Sequence, residues 1–126
     1  MTPMSRDAVT FVKSNLAITD FVTRLGTLLK TEFVSNDNVE WELYECVFLG
    51  LFISVYENEG FTDEGDLDFS NFDLVIGVAT NSALIPVDYK YEWPKAFSVA
   101  LATAVLKDDI NAFMVTDDVE RVVVRS

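Results

Sequence analysis

The sequence VEWELYECVFLGLFISVYE, residues 39–57, decides the fold because it joins two strand patterns in one run. Val39, Trp41 and Leu43 alternate with acidic or polar residues, which is typical of a strand with one buried face. Residues 47–56 are nearly all apolar and rich in β-branched and aromatic side chains. This composition favours a strand covered on both faces over a helix. Gly50 interrupts the run and predicts a bulge or a close approach of two backbones.

Apolar residues at helical spacing predict helices on either side of this run. The first helix comprises Ile18, Phe21, Val22, Leu25, Leu28 and Leu29, with Thr19 or Asp20 as its cap and Gly26 inside it. The second begins near Pro94, which suits a first helical turn, and continues to Lys107. For residues 5–15 we favour another helix, because Val9, Val12 and Leu16 continue the helical spacing, although Val9, Thr10 and Phe11 also allow a short strand.

Further strands are predicted for residues 72–79 and for the chain after residue 112, where Asp117 and Asp118 form a turn. Ser35–Asn38 reads as a loop, and Pro86 lies in a long connection. Strands that follow one another through short loops indicate antiparallel pairing. We therefore expect a single α+β domain over residues 1–126, with a mostly antiparallel sheet of four to five strands covered on one face by two or more helices.

The composition excludes several classes of chemistry. The chain has no histidine and one cysteine, so Ser-His-Asp and Cys-His nucleophilic sites and the usual zinc sites are ruled out. Cys46 lies in an apolar run and is expected to be a buried small hydrophobe. The glycines are isolated, so no phosphate-binding loop is present, and no basic patch suggests nucleic acid. We expect no catalytic residues, no metal and no cofactor.

Negative charge is concentrated in the middle of the chain. The formal net charge is −12, and residues 31–92 carry fourteen acidic side chains and one basic side chain. Such a field repels nucleic acid and anionic membranes and attracts basic surfaces. The first residues do not resemble a secretory signal, and no apolar stretch approaches the roughly 20 residues of a membrane span. These features predict a cytoplasmic location.

The densest acidic stretch is YENEGFTDEGDLDFSNFD, residues 56–73, which has seven carboxylates and no Lys or Arg. Asp66, Asp68 and Ser70 match the first ligand positions of an EF-hand loop. The required glycine is replaced by Asn71 and the required glutamate by Gly77, so the EF-hand motif fails. A looser divalent-metal site remains an alternative, as does a carboxylate pair of Asp66 and Asp68 for hydrolysis.

Two interpretations of this stretch remain stronger. It is either a solvated connection, pinned to the core by Phe61, Leu67, Phe69 and Phe72, or a preformed surface for a basic partner. The uncompensated acids repel one another, and a partner surface explains that cost. The candidate partner-binding residues are Glu57, Glu59, Phe61, Asp63, Glu64, Asp66 and Asp68.

The segment GLFISVYENEGFTDEGDLDFSNFDLVIGVAT, residues 50–80, resembles the central region of small bacterial immunity proteins of contact-dependent growth inhibition and related polymorphic toxin systems. The shared features are an apolar strand ending in an acidic run, a D-x-D-F-S motif and a second apolar strand. An Ala- and Leu-rich helix and a valine-rich terminal strand follow, so the resemblance covers about residues 47–125. It implies a non-enzymatic cytoplasmic protein that binds and blocks one toxin domain, often a nuclease.

The leading hypothesis is therefore an immunity protein that occludes the basic surface of a cognate toxin, with carboxylates in place of phosphates. The second is a non-enzymatic adaptor or homo-oligomer that uses the aromatic segments 41–44 and 89–93. The third is a hydrolase that depends on carboxylates and a divalent metal.

Overall fold

The computed structural model describes residues 8–58, 72–80 and 92–116, and the backbone of residues 121–125. In chain order the elements are β1 (Ala8–Lys13), α1 (Ile18–Leu29), β2 (Val34–Ser35), β3 (Leu43–Phe48), β4 (Leu51–Glu57), β5 (Leu74–Thr80), α2 (Glu92–Ala100), a π-helical turn (Leu101–Val105), β6 (Ala112–Thr116) and β7 (Arg121–Arg125). The strands form one sheet in the order β2-β3-β4-β5-β1-β6-β7, and all neighbours are antiparallel.

The expected α+β class is confirmed, because both helices pack on one face of an antiparallel sheet. Phe21 and Leu25 of α1 share a buried cluster with Phe97 of α2 and with alternate residues of the strands. A smaller cluster on the other face consists of Phe11, Phe72, Val75 and Met114. The sheet has seven strands rather than four or five. The extra strands come from the regions discussed next.

The preferred helix over residues 5–15 is wrong, because Ala8–Lys13 is the strand β1. This strand lies between β5 and β6 and is buried on both faces, with Phe11 on one side and Val12 on the other. A strand that is apolar on both faces does not alternate, so the spacing of Val9 and Val12 imitated that of a helix. The β-branched residues of this stretch carried the correct signal.

The apolar run of residues 47–56 is a hairpin rather than one strand. Leu49 has φ 52° and Gly50 has φ 78°, and these two residues connect β3 to β4. Two consecutive left-handed residues form the turn that suits the twist of a two-residue hairpin. Gly50 therefore marks a turn and not a bulge. Val39 and Trp41 were expected to lie in this strand. They precede it, because β3 begins at Leu43.

The helix α1 has the bounds that the apolar spacing predicts. Neither Thr19 nor Asp20 caps it; the N-cap is Ala17, whose side chain makes no capping bond. Gly26 is explained by a close approach, since a Cβ there would lie 2.7 Å from the carbonyl oxygen of Thr31. The Thr31 N–H donates to the Gly26 oxygen at 2.9 Å and closes the end of the helix.

The later elements agree with the pattern. Pro94 lies in the first turn of α2, as predicted, but the α-helix ends at Ala100 and changes to the π-helical turn before Leu106. The strand expected at residues 72–79 is β5, and β6 and β7 are the two final strands. The predicted turn at Asp117 and Asp118 lies outside the described residues.

Candidate partner-binding surface

The sheet face turned away from α1 and α2, here called the open face, is formed by alternate residues of the strands. Leu51, Ile53 and Val55 of β4 enter the helix-covered core, so Phe52, Ser54 and Tyr56 point to the open face. The strand register places residues of neighbouring strands in rows across this face. The three rows are Val47–Phe52–Ala79, Glu45–Ser54–Gly77–Val9 and Leu43–Tyr56–Val75.

The middle row, Glu45–Ser54–Gly77–Val9, contains the smallest side chains and forms the floor of a groove between the other two rows. Ser54 and Gly77 are small, and a Cβ on Gly77 would meet the Ser54 Oγ at 2.8 Å. The groove, here called the apolar groove, has a volume of about 710 Å³. Its apolar lining is partly open to solvent, because Val47 is 52% exposed and Phe52 is 48% exposed. Val34, opposite Glu45, extends the apolar lining to the edge of the sheet.

A second groove, here called the acidic groove, adjoins the first and shares Glu45, Ser54 and Tyr56 with it. It has a volume of about 520 Å³ and is completed by Trp41, Leu43 and Glu57. The Trp41 side chain is 55% exposed. An exposed indole between carboxylates offers both apolar area and a ring face to a cation.

The charge of the two grooves has one sign. Among the described residues that line them, the charged ones are Glu32, Glu45 and Glu57, and none is Lys or Arg. Glu45 accepts a hydrogen bond from the Asn36 side-chain amide at 2.9 Å, which fixes one of its oxygens. The surface is thus suited to ligands with positive charge.

Two tyrosines, Tyr44 on β3 and Tyr56 in the acidic groove, have raised pKa values. The Tyr44 hydroxyl donates to the Glu42 carboxylate, and this hydrogen bond raises the pKa of Tyr44. Burial raises the pKa of Tyr56. Both phenols are therefore neutral hydrogen-bonding groups at physiological pH, and neither adds a negative charge to the surface.

The ends of the acidic stretch meet beside the acidic groove. The Asn58 N–H donates to the Asp73 oxygen at 2.9 Å, and its side-chain amide donates to the Phe72 oxygen at 2.8 Å. Phe72 is buried, as predicted, and its ring lies 6.3 Å from that of Phe11. The described residues on either side of this stretch, Asn58 and Phe72–Asp73, are therefore held together next to Glu57.

Of the seven candidate partner-binding residues, the described part of the structure contains only Glu57, which is exposed at the end of β4. The other six, Glu59, Phe61, Asp63, Glu64, Asp66 and Asp68, lie outside the described residues. The looser metal site and the hydrolase pair fall on the same residues. Within the ranges that are described, no group of three or more His, Cys, Asp or Glu side chains is placed to hold a metal ion.

Sequence reasoning missed the groove residues that come from different strands. Val47 and Phe52 were expected to be buried on both faces, and they are half-exposed. Trp41 was assigned to the buried face of a strand, and it is exposed before β3 begins. The Leu49–Gly50 pair was the available signal, because a glycine in the second turn position predicts a hairpin and hence a shorter, one-sided β3.

Cys46 is among the residues that border the apolar groove. It packs against the helix-covered core, and burial raises its pKa to about 11. A thiol with that pKa has little thiolate at neutral pH, so it is a weak nucleophile. The expected role of a small hydrophobe is thus consistent with its surroundings, although the side chain is only partly buried.

The hairpin tip carries an apolar residue in a conformation that favours asparagine or glycine. Leu49 is 64% exposed, and its carbonyl oxygen accepts a hydrogen bond from the Trp93 indole at 3.1 Å. Trp93 is itself half-buried against Phe97, at 6.0 Å between ring centroids. The aromatic segment 89–93 thus contributes Trp93 to the support of the hairpin, while residues 89–91 lie outside the described part.

Replacing Leu49 by asparagine is expected to stabilise the protein by about 1 kcal/mol, because asparagine tolerates the left-handed backbone and little apolar area is lost. The midpoint of urea unfolding measures this effect. Leu49→Ala removes the same side chain without that backbone preference and should bring no gain. A fall in stability for Leu49→Asn would show that the side chain, and not the turn, holds the hairpin.

No helix among the described residues is long and apolar enough to cross a membrane. A scan against protein-family models found no matching family, and no similar curated protein or solved structure was found.

Proposed function

We propose that the protein binds a basic partner protein and neutralises it, as an immunity protein of a contact-dependent or polymorphic toxin system does for its cognate toxin domain. The observation that carries the proposal is the acidic groove, which Glu45 and Glu57 line together with the exposed Trp41 and whose described lining has no basic side chain. The sequence adds five further acids between Asn58 and Phe72, two residues that contact each other beside Glu57.

The mechanism of neutralisation is occlusion. Carboxylates on the groove would pair with the Lys and Arg side chains that a nuclease uses to hold phosphates. Trp41 and Tyr56 would supply the central apolar contact that charges alone lack, since aromatic side chains dominate the energetics of most interfaces. The protein would act in the cytoplasm of a bacterium, before the toxin reaches its substrate, and it would need no catalytic group of its own.

Co-expression tests this function directly. The toxin-like domain encoded beside the gene is expressed in a bacterial host with and without this protein, and colony survival is counted. The expected result is that the domain alone kills and that the wild-type protein restores growth. Trp41→Ala should weaken the rescue, whereas Lys107→Ala, an exposed change after α2, should not. A domain that kills equally in the presence of the soluble wild-type protein would refute the proposal.

Self-association is the second candidate function, and the exposed apolar side chains favour it. Four apolar side chains are at least 48% exposed. They are Val34 on β2, Val47 on β3, Leu49 in the turn and Phe52 on β4. A second copy could cover them. The high net charge opposes such pairing, so the expected mass in light scattering at physiological salt is that of a monomer.

A further inference from the structure

We infer that the apolar groove is a docking site for a basic amphipathic helix of the partner, lying across the strands between Phe52 and Tyr56. This inference rests on the proposed function, since it takes a basic partner as given and specifies which element of the partner is bound. It extends the contact surface from the acidic groove to the neighbouring floor over Ser54 and Gly77.

The dimensions of the groove suit a helix. Phe52 and Tyr56 are four residues apart on β4, so the Cα atoms of the two rows that form the walls are about 13 Å apart. A helix with its side chains is about 10–12 Å wide. The floor crosses β3, β4, β5 and β1, which gives a length of about 14 Å, or roughly nine or ten helical residues. The helix would sit over Ser54 and Gly77.

The groove offers apolar area that the fold itself does not use. Val34, Val47 and Phe52 remain about half or more exposed, whereas the other face of the sheet packs against the two helices. Exposed apolar patches rimmed by polar groups are a mark of interaction sites. Leucine-like side chains at helical positions i, i+3, i+4 and i+7 would cover these residues.

The charges select the occupant. Glu32 and Glu45 line the apolar groove, and the described lining contains no base. A second copy of the chain would bring the same carboxylates face to face, at a net charge of −12 for each copy. A helix that carries Lys or Arg beside its apolar stripe instead pairs with both glutamates while its stripe fills the groove.

Two synthetic peptides test this inference with the full-length protein. Both are amidated helices of about fourteen residues with identical lysines; one has leucine at the four stripe positions and the other has alanine. Their affinities are measured by fluorescence anisotropy at several salt concentrations. The leucine peptide is expected to bind about tenfold more tightly, because its stripe buries apolar area that alanine does not.

The variants assign the effect to a site. Phe52→Ser and Val47→Ser should each remove most of the tenfold preference and leave the alanine peptide unaffected. Leu49→Asn removes an equally exposed side chain outside the groove lining and should change neither affinity. Equal binding of the two peptides, or a preference that survives both groove variants, would overturn the inference. A dimer that Phe52→Ser dissociates would also overturn it.

A charge variant and the salt series distinguish failure of the docked-helix inference from failure of the proposed function. Glu45→Lys should weaken both peptides and reduce their salt dependence. If both peptides bind the wild type with no salt dependence, the basic partner of the proposed function is wrong. If the salt dependence is present but the leucine preference is absent, only the docked helix is wrong.

Discussion

Replacing Phe21 by alanine is expected to lower the free energy of unfolding by about 3–5 kcal/mol, which is a large part of the stability of a domain of this size. Phe21 is fully buried on α1 and belongs to the core that joins both helices to the sheet. Its removal leaves a cavity between α1 and the sheet that close packing cannot fill without moving the helix.

Phe52→Ala is the matched control. It also replaces a phenylalanine by alanine, but on the open face of the sheet instead of in the core between the sheet and α1. Phe52 is 48% exposed, so the expected loss is only about 1 kcal/mol. Urea unfolding followed by circular dichroism measures both values. Similar losses for the two variants would mean that the open face is covered in solution, which would contradict its role as a docking surface.

The contrast between these two phenylalanines shows what the sequence could predict. The spacing of Phe21 with Leu25 reports a helical stripe, and the structure has that stripe facing the core. Phe52 lies in a run of apolar residues where spacing carries no face information. The exposure of Phe52 depends on whether other parts of the fold cover the open face of β3 and β4, which is a property of tertiary packing.

The central strand β1 was mispredicted because local sequence does not report long-range pairing. β1 is predicted poorly because its neighbours, β5 and β6, follow it by about sixty and a hundred residues in the chain. Nothing local to Val9 or Phe11 reports such pairings. Long-range partners decide whether a short β-branched stretch is a strand, so local propensity is overridden.

The candidate site was predictable in its charge but not in its geometry. The acidic middle of the chain directed the prediction to residues 57–73, of which the described part shows Glu57 lining a groove. The row of Glu45, Ser54 and Gly77 exists only through the register of three strands. The sequence shows an excess of acids. The fold places three of them, Glu32, Glu45 and Glu57, beside exposed apolar side chains that a partner could cover.

Reversing the two acids of the acidic groove, Glu45→Lys together with Glu57→Lys, is expected to slow association with the proposed basic partner by about 10–100-fold at low salt. Electrostatic attraction accelerates encounter when the surfaces are complementary, and the reversal turns attraction at the groove into repulsion. Both side chains are exposed, Glu45 within β3 and Glu57 at the end of β4, so the fold should tolerate the change.

The matched control is Glu92→Lys with Asp108→Lys, which changes the net charge by the same amount on exposed residues at the start of α2 and after the π-helical turn. Stopped-flow measurements across a salt series compare the two double variants with the wild type. The control pair should slow association far less than the groove pair, because steering depends on where the charge lies and not only on its total. Equal slowing would show that the partner responds to the overall field of the protein and would remove Glu45 and Glu57 from the interface. A steep loss confined to the groove pair, with the rates of the variants converging as salt increases, is the result that the geometry of the open face predicts.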